Sequence, residues 1–174
     1  QKVEPYDKTV FGTSIVSNEW NSATGEGIIT FEGDVTEIGN QAFYYCQSLT
    51  SIVIPNSVTK IGGGAFSMCV NLTSITIPDN VTSIGRMAFQ QSGLTSITIP
   101  ESVTEIGDQA FYCCENLKYV YCKPLTPPTV GDYVFGLNAS NMIIYVPLNS
   151  VNVYKADNDW SYYTEDYSIV GYDF

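Results

Sequence analysis

A unit of 22 or 23 residues recurs four times in the middle of the chain. Its copies begin at Val35, Val58, Val81 and Val103, so the spacing is 23, 23 and then 22 residues. The second copy reads VTKIGGGAFSMCVNLTSITIP, and apolar residues fall at the same offsets in the other three. Self-similarity at a period of roughly 20–29 residues is typical of a solenoid, in which each repeat stacks on the next.

Every copy carries a phenylalanine in a Gly-x-x-Ala-Phe-x-x-Cys segment, or a close variant of it, followed by an alternating pair of apolar residues. The first segment predicts one or two helical turns. The alternation predicts a strand with one buried face. We therefore predict an α/β solenoid, a right-handed superhelix with a parallel concave sheet and short helical turns on its outer side. The phenylalanines are Phe43, Phe66, Phe89 and Phe111, and the pairs are Ile52/Ile54, Ile75/Ile77, Ile97/Ile99 and Val120/Cys122.

The four repeats occupy residues 35–128, and the chain before them departs from the pattern. Residues 1–34 are predicted to form an N-terminal cap and half a repeat. An end repeat must be covered, because its apolar edge is otherwise open to water and to other edges. Ile15, Val16 and Trp20 are the predicted covering residues.

The chain after the repeats is predicted to close the other end. Residues 129–174 are expected to form a degenerate fifth repeat and a C-terminal cap. In this cap Ser150 is predicted to N-cap a short helix that runs through Asn158. Val151 and Tyr154 are predicted to face inward from that helix.

The charge of the chain excludes several partners. The net charge is −11, and Arg86 is the single arginine. Phosphate backbones require clustered Lys and Arg, so we expect no binding to nucleic acid or to an anionic membrane surface. No run of eighteen apolar residues is present, and we expect no transmembrane segment.

The residue types argue against catalysis and metal binding. Histidine is absent, which removes the Ser-His-Asp and Cys-His machineries and histidine metal ligands. The Glu101/Glu105 carboxylates fall on turn or outer positions and are interpreted as solvated surface. The Asp157–Asp159 segment lacks the glycine and the distant glutamate of a calcium loop, so we expect a turn at a helix end. We predict no enzymatic activity, no cofactor and no metal.

The five cysteines are expected to be free and mostly buried. Cys46, Cys69 and Cys114 share one repeat position with Ser92, so the position requires a small residue rather than a thiol. We expect the outer side to spread neighbouring repeats beyond the bridging distance of about 7 Å. The alternative is a disulfide that involves Cys113, Cys114 or Cys122.

The residues that alternate with the buried pairs form the predicted binding surface on the concave sheet. They are Ser51, Val53, Ser74, Thr76, Ser96, Thr98, Tyr119 and Tyr121. Small hydroxyl side chains make an almost uncharged floor that ends in two tyrosines. Exposed tyrosines are favoured in protein contacts and stack on sugar rings. The alternative is that both tyrosines pack beneath the proline-rich segment 123–130.

The unit V-T-x-I-G-x-x-A-F-x-x-C-x-x-L-T-S-I-x-I-P closely resembles the BspA-like leucine-rich repeat family of bacterial surface proteins. The segment IIYVPLNSVNVYKADNDW resembles the C-terminal cap of that family, and ITFEGDVTEIG resembles its entry repeat. The resemblance covers about residues 28–160 and departs at Gln90–Gly93 and at Cys122. It implies an exported or cell-surface solenoid that mediates adhesion, including contacts with host matrix proteins and other cells.

Three hypotheses about function follow. The first is a non-enzymatic, extracytoplasmic and monomeric interaction module that binds a host matrix protein or another cell-surface protein. The second is a carbohydrate-binding module that uses the same tyrosines for a glycan. The third is a passive spacer that displays another domain. No signal peptide is recognisable at Gln1, and export is expected from the resemblance.

Overall fold

A computed structural model of the protein describes residues 4–6, 8–24 and 26–174, apart from the side chains of Trp20 and Asp166. The predicted covering role of Trp20 therefore lies outside the described residues. The strands are β1 Ile15–Asn21, β2 Glu26–Phe31, β3 Glu37–Ile38, β4 Lys60–Ile61, β5 Ser83–Ile84, β6 Ser96–Ile99, β7 Glu105–Ile106, β8 Tyr119–Cys122, β9 Thr129–Val130, β10 Ile143–Pro147 and β11 Ser168–Tyr172. The helices are α1 Val151–Ala156, α2 Asn158–Ser161 and α3 Tyr163–Asp166, and a 3₁₀ turn spans Leu148–Ser150.

One parallel sheet, in the order β3-β4-β5-β7-β9, is built from the V-T-x-I-G part of each repeat. Its register places Ile38 beside Ile61 and Ile61 beside Ile84. In four of these strands a threonine, at the first residue or just before it, binds the previous repeat twice. The N–H of Thr59 donates to the carbonyl oxygen of Thr36 over 2.9 Å, and its hydroxyl donates to the same oxygen over 3.3 Å. The same pair of bonds recurs at Thr82, Thr104 and Thr129.

The second parallel sheet has the order β11-β10-β8-β6 and contains the predicted strands of the third and fourth copies. The prediction was wrong for the first two copies, because residues 51–54 and 74–77 form no strand pairs in the described chain. Ile54 and Ile77 are nevertheless only 6% and 4% exposed. The alternation of apolar and polar residues therefore indicates which side chains are buried. A strand pair also requires backbone hydrogen bonds to a neighbouring segment, which the alternation does not indicate.

The predicted helical turns were also wrong, because the segment around each phenylalanine forms consecutive tight turns. The N–H of Phe43 donates to the carbonyl oxygen of Ala65 in the next copy over 2.7 Å. The N–H of Tyr44 instead donates to the carbonyl oxygen of Gln41 in its own copy over 3.0 Å. A helix instead keeps all these bonds within one segment and uses negative φ. Here the residues two before and two after each phenylalanine have positive φ: Gln41, Tyr45, Gly64, Met68, Met87, Gln91, Gln109, Cys113, Tyr133 and Leu137. We call these turn segments the turn row.

A stack of phenylalanine rings runs through the centre of the repeats. Neighbouring ring centroids are 5.2–5.6 Å apart and the planes differ by 4–10°. Phe11 contacts Phe43 at one end over 5.8 Å, and Tyr163 contacts Phe135 at the other over 5.3 Å. Burying each ring stabilises the fold by about 1.5–3 kcal/mol, so the stack joins all repeats into one core. Its members are Phe43, Phe66, Phe89, Phe111 and Phe135.

The N-terminal segment packs on the first repeat through one of the predicted residues and through one that was not predicted. β1 and β2 form an antiparallel hairpin. Ile15 is half-buried against the core, as predicted, but Val16 is 61% exposed. The strand shifts register between Ile15 and Ser17, and the side chains of Ile15 and Val16 do not both pack on the repeats. The covering residue that sequence reasoning missed is Phe11, which is 1% exposed and lies 5.1 Å from the ring of Phe31.

The C-terminal helix α1 differs from the prediction in its length and its cap. Tyr154 is buried and Val151 is half-buried against the core, as predicted. The helix ends at Ala156 instead of Asn158, because the next residue is extended. Ser150 precedes the helix but makes no side-chain cap hydrogen bond, since its own conformation is helical.

The N-cap in this region belongs to α2. The carboxylate of Asp157 accepts hydrogen bonds from the backbone N–H of Asp159 over 3.0 Å and of Trp160 over 3.2 Å. The indole N–H of Trp160 donates to the carbonyl oxygen of Pro128 over 2.8 Å. No helix in the described part of the chain is both long enough and apolar enough to cross a membrane.

The five cysteines are free, as predicted, but the expected spreading of the repeats was wrong. The turn row binds each repeat to the next, so neighbouring thiol positions stay close. The Cys69 thiol donates to the carbonyl oxygen of Phe43 over 3.1 Å, and Ser92 Oγ lies 3.3 Å from Cys114 Sγ. Burial raises the pKa of the Cys69 thiol to about 12, which keeps it protonated and unreactive.

Candidate functional site

Five aromatic side chains form a continuous surface on the outward face of the four-stranded sheet. Three adjacent strands place them there, and we call the set the aromatic surface. Tyr119 and Tyr121 come from β8, Tyr145 from β10, and Tyr172 from the end of β11, with Phe174 two residues further along. In β8 and β10 they alternate with buried residues, so the strand period turns them outward.

The rings contact one another across the strands. Tyr121 and Tyr145 are stacked, with centroids 5.0 Å apart and planes 12° from parallel. Tyr172 meets both rings edge-on, at 5.6 Å from Tyr121 and 5.3 Å from Tyr145. Tyr119 lies 6.4 Å from Tyr145, and Phe174 lies 5.0 Å from Tyr172. Such ring pairs stabilise each other by about 0.5–1.5 kcal/mol, so the surface is preorganised.

The surface remains accessible to a partner. Tyr119, Tyr172 and Phe174 are 41%, 43% and 47% exposed, while Tyr121 and Tyr145 are half-buried between them. Burial raises the pKa of Tyr121 above its usual value, and the neighbouring phenols of Tyr145, Tyr172 and Tyr119 raise it further. The phenol of Tyr121 therefore stays protonated at neutral pH and can both donate and accept hydrogen bonds.

Strand pairing joins part of the predicted binding surface to the aromatic surface. Strand pairing places Ser96 beside Tyr119 and Thr98 beside Tyr121. The other four predicted residues are exposed, with Val53 at 93%, but they lie in segments without strand pairing. These four are Ser51, Val53, Ser74 and Thr76.

Sequence reasoning missed three members of the aromatic surface. Tyr145 could have been found, since it lies between the buried pair Ile144 and Val146. Tyr172 and Phe174 carry no comparable signal. They join the surface because β11 pairs with β10 in parallel, which places Tyr172 beside Pro147.

The proline-rich segment 123–130 is held by other residues. The hydroxyl of Tyr154 donates to the carbonyl oxygen of Pro124 over 2.7 Å, and Trp160 donates to that of Pro128. The ring neighbours of Tyr119 and Tyr121 are instead the tyrosines of β10 and β11. Packing beneath this segment therefore does not account for where the two tyrosines lie.

A separate groove lies at the opposite end of the molecule. It is an open groove of about 570 Å³ beside the turn row of the first copy. The rings of Tyr6 and Tyr44 meet edge-on there at 5.6 Å, and Tyr45 is 53% exposed. It is lined by three tyrosines, compared with five aromatic residues on the aromatic surface, so we rank it second.

The chemistry of the aromatic surface is that of contact and hydrogen bonding. Among the described residues, no group of three or more Cys, Asp or Glu side chains is placed to hold a metal ion. The rings offer apolar area together with phenolic hydroxyls, a combination favoured in protein interfaces.

Two parallel sheets built from one recurring unit define a leucine-rich repeat protein. The chain belongs to the BspA-type leucine-rich repeat family, because the family model described as BspA type Leucine rich repeat region matches residues 22–156 in six copies. Proteins of this repeat class are generally non-enzymatic. Among curated proteins, no sequence matches the chain.

Similar solved structures come from bacteria. The leucine-rich repeat protein of T. pallidum is 27% identical with a TM-score of 0.61, over 76% of this chain and 69% of that one. A leucine-rich repeat protein from Bacteroides ovatus is 23% identical with a TM-score of 0.42, over 76% of this chain and 59% of that one. A leucine rich cell surface protein from Faecalibacterium prausnitzii is 22% identical with a TM-score of 0.28, over 67% and 54% of the two chains. The first of these likenesses supports the repeat fold.

Proposed function

We propose that this chain is a non-enzymatic interaction module that binds a protein partner through the aromatic surface. The observation that carries the proposal is a preorganised set of five aromatic side chains, three of which are more than two-fifths exposed. Aromatic residues are enriched in interface hot spots, where they give large contact area at a small cost in conformational entropy.

Ring orientation favours a protein over a glycan. A sugar ring stacks on an exposed aromatic face. Tyr121 and Tyr145 turn their faces toward each other, and Tyr172 meets both rings edge-on. The faces of Tyr121 and Tyr145 are therefore partly covered by neighbouring rings, which leaves less open ring face for a sugar and favours contact with side chains and backbone amides.

The location of the module is proposed from its family. BspA-type repeat proteins are typically surface-associated, so we propose a cell-surface or secreted protein that contributes to adhesion. The net charge of −11 favours a neutral or basic partner surface over an acidic one.

The proposal is tested by a binding screen of the purified chain against immobilised extracellular matrix proteins and neutral glycans. Wild type, Tyr119→Ala/Tyr121→Ala, Tyr162→Ala and Tyr45→Ala are compared, with circular dichroism to verify folding. Tyr162 and Tyr45 are 55% and 53% exposed. Tyr162 lies outside both sites and is the matched control, whereas Tyr45 tests the N-terminal groove.

We expect saturable binding to a protein, lost in the double variant and retained in Tyr162→Ala. Loss in Tyr45→Ala alone would move the site to the groove. Saturable binding to glycans only would establish the carbohydrate hypothesis instead. Absence of binding across the whole panel would support the passive spacer.

A further inference from the structure

The last strand of the four-stranded sheet has an open edge. β11 pairs with β10 on one side, and in the described residues no strand lies on the other. The edge adjoins the aromatic surface, since Tyr172 belongs to both. An unpaired strand edge presents N–H and C=O groups in the spacing that another extended chain requires.

The register identifies which groups face outward. The N–H of Ile143 donates to the carbonyl oxygen of Lys118 over 2.8 Å, so odd-numbered residues of β10 face β8. Alternate residues of a parallel strand serve opposite neighbours. Ile144 and Val146 therefore serve β11, and the backbone groups of Ile169 and Gly171 point away from β10; Ile169 as a whole is 4% exposed and Gly171 is half-buried.

The sequence of β11 lacks the residues that usually prevent pairing at an edge. Natural edge strands carry lysine, proline, a bulge or an inward-pointing charge. The β11 sequence Ser-Ile-Val-Gly-Tyr has none of these, and it pairs with β10 in uninterrupted register over five residues. Val170 and Tyr172 are 41% and 43% exposed beside the edge.

We propose that β11 binds an extended, basic segment of the partner protein by strand addition. Main-chain hydrogen bonds would come from Ile169 and Gly171, and alternate side chains of the segment would lie against Val170 and Tyr172. A basic segment is favoured over a second copy of this chain, because two copies would each carry a charge of −11. This inference rests on the proposed function, since it specifies the partner of the same surface.

The test uses a ten-residue peptide that alternates valine with lysine and threonine, and the same peptide N-methylated at every valine. Methylation blocks one row of ladder hydrogen bonds and leaves charge and side chains in place. Binding is measured by calorimetry, and amide exchange by NMR. Val170→Ala/Tyr172→Ala is compared with Val53→Ser, which alters an exposed apolar residue outside the sheet.

We expect the unmethylated peptide to bind at least tenfold more tightly than the methylated one and to protect the Ile169 and Gly171 amides. Val170→Ala/Tyr172→Ala should weaken binding about tenfold, with Val53→Ser unchanged. Equal binding of both peptides would show a charge effect and overturn strand addition, as would no binding. Protection of the same amides without peptide, in a dimer seen by sedimentation, would replace the partner with a second copy.

The outcomes separate the two proposals. Protein binding that is lost in Tyr119→Ala/Tyr121→Ala, together with equal binding of both peptides, leaves the interaction module in place and removes only strand addition. Peptide-induced protection with no protein bound in the screen removes the matrix protein as the partner and leaves the edge as a strand-binding site.

Discussion

The hydroxyl of Tyr154 donates a 2.7 Å hydrogen bond to the carbonyl oxygen of Pro124, thirty residues earlier in the chain. The same oxygen of Tyr154 lies 3.4 Å from the thiol sulfur of Cys122. Both contacts are buried, so helix α1 is tied to the start of the proline-rich segment. This segment leads from β8 to β9, and thus links the two sheets.

We expect Tyr154→Phe to lower the free energy of unfolding by about 1–3 kcal/mol, because the buried carbonyl of Pro124 loses its donor. Urea unfolding measures the loss. Tyr162→Phe makes the same change at an exposed ring and should stay within about 0.5 kcal/mol of wild type. Equal stability of the two variants would mean that the Tyr154 bond contributes nothing measurable.

Alanine substitutions at two glycines of the second repeat distinguish the destabilisation caused by steric crowding from that caused by backbone strain. A Cβ at Gly62 would lie 2.6 Å from the backbone N of Asn40, whereas one at Gly64 would lie 3.5 Å from Gln41 Cγ. Gly64 has a φ of +63°, so Gly64→Ala should cost about 1–2 kcal/mol for left-handed backbone. Gly62→Ala should cost more than about 3 kcal/mol, because backbone atoms of the first repeat must move. Thermal unfolding gives the order, and the reverse order would contradict the steric argument.

Stability should fall in alkaline solution because of the buried thiol of Cys122. Burial raises its pKa from 9.0 to about 12. The unfolded chain therefore loses this proton first, and the free energy of unfolding decreases as pH rises from 9 towards 12. Each such group contributes a slope of up to about 1.4 kcal/mol per pH unit.

Cys122→Val removes this thiol and should make the slope between pH 9 and 11 shallower in urea unfolding. The two proteins should show the same pH dependence from pH 7 to 8, where the thiol is protonated in both states. An unchanged slope above pH 9 would assign the alkaline loss to other groups.

Amide exchange should distinguish repeats that pair in the second sheet from those that do not. Residues 120–122 lie in the middle of the ladder, whereas residues 75–77 hold the same repeat position without strand pairs. We expect exchange at least tenfold faster at 75–77 by hydrogen-exchange mass spectrometry or NMR. Matching rates would show that the sheet extends into the second repeat in solution.

The period and the core were predictable from sequence because both depend on side chains. Phe43 and Val120 are buried where the repeat places them. Backbone conformation was less predictable. Ala, Phe and Gln are compatible with a helix, and the left-handed φ of Gln41 and Tyr45 arises from bonds to the next repeat that a single unit does not reveal.

Two of the five residues of the candidate site were predictable for a similar reason. Tyr119 and Tyr121 follow from strand alternation within one repeat. Tyr172 joins them because β11 pairs with β10. Three helices separate these strands in the chain, and their sequence does not indicate that the chain comes back to pair with β10. Long-range pairing was the missing information.

The shortened third copy shows how the stack absorbs a lost residue. At Gly93 a Cβ would lie 2.3 Å from the carbonyl oxygen of Val70, so only glycine allows the third copy to close with one residue fewer. Loss of a single residue from a repeat is therefore tolerated at this turn, where the remaining residue is glycine.

Whole units behave differently, because the turn row and the threonine bonds join equivalent positions of neighbouring repeats. Tandem duplication or loss of one complete unit would preserve every such contact. Each unit adds one strand spacing, about 4.8 Å, between the N-terminal hairpin and the aromatic surface. The number of repeats therefore determines the distance between the N-terminal hairpin and the aromatic surface, and this distance can change in evolution by whole repeats.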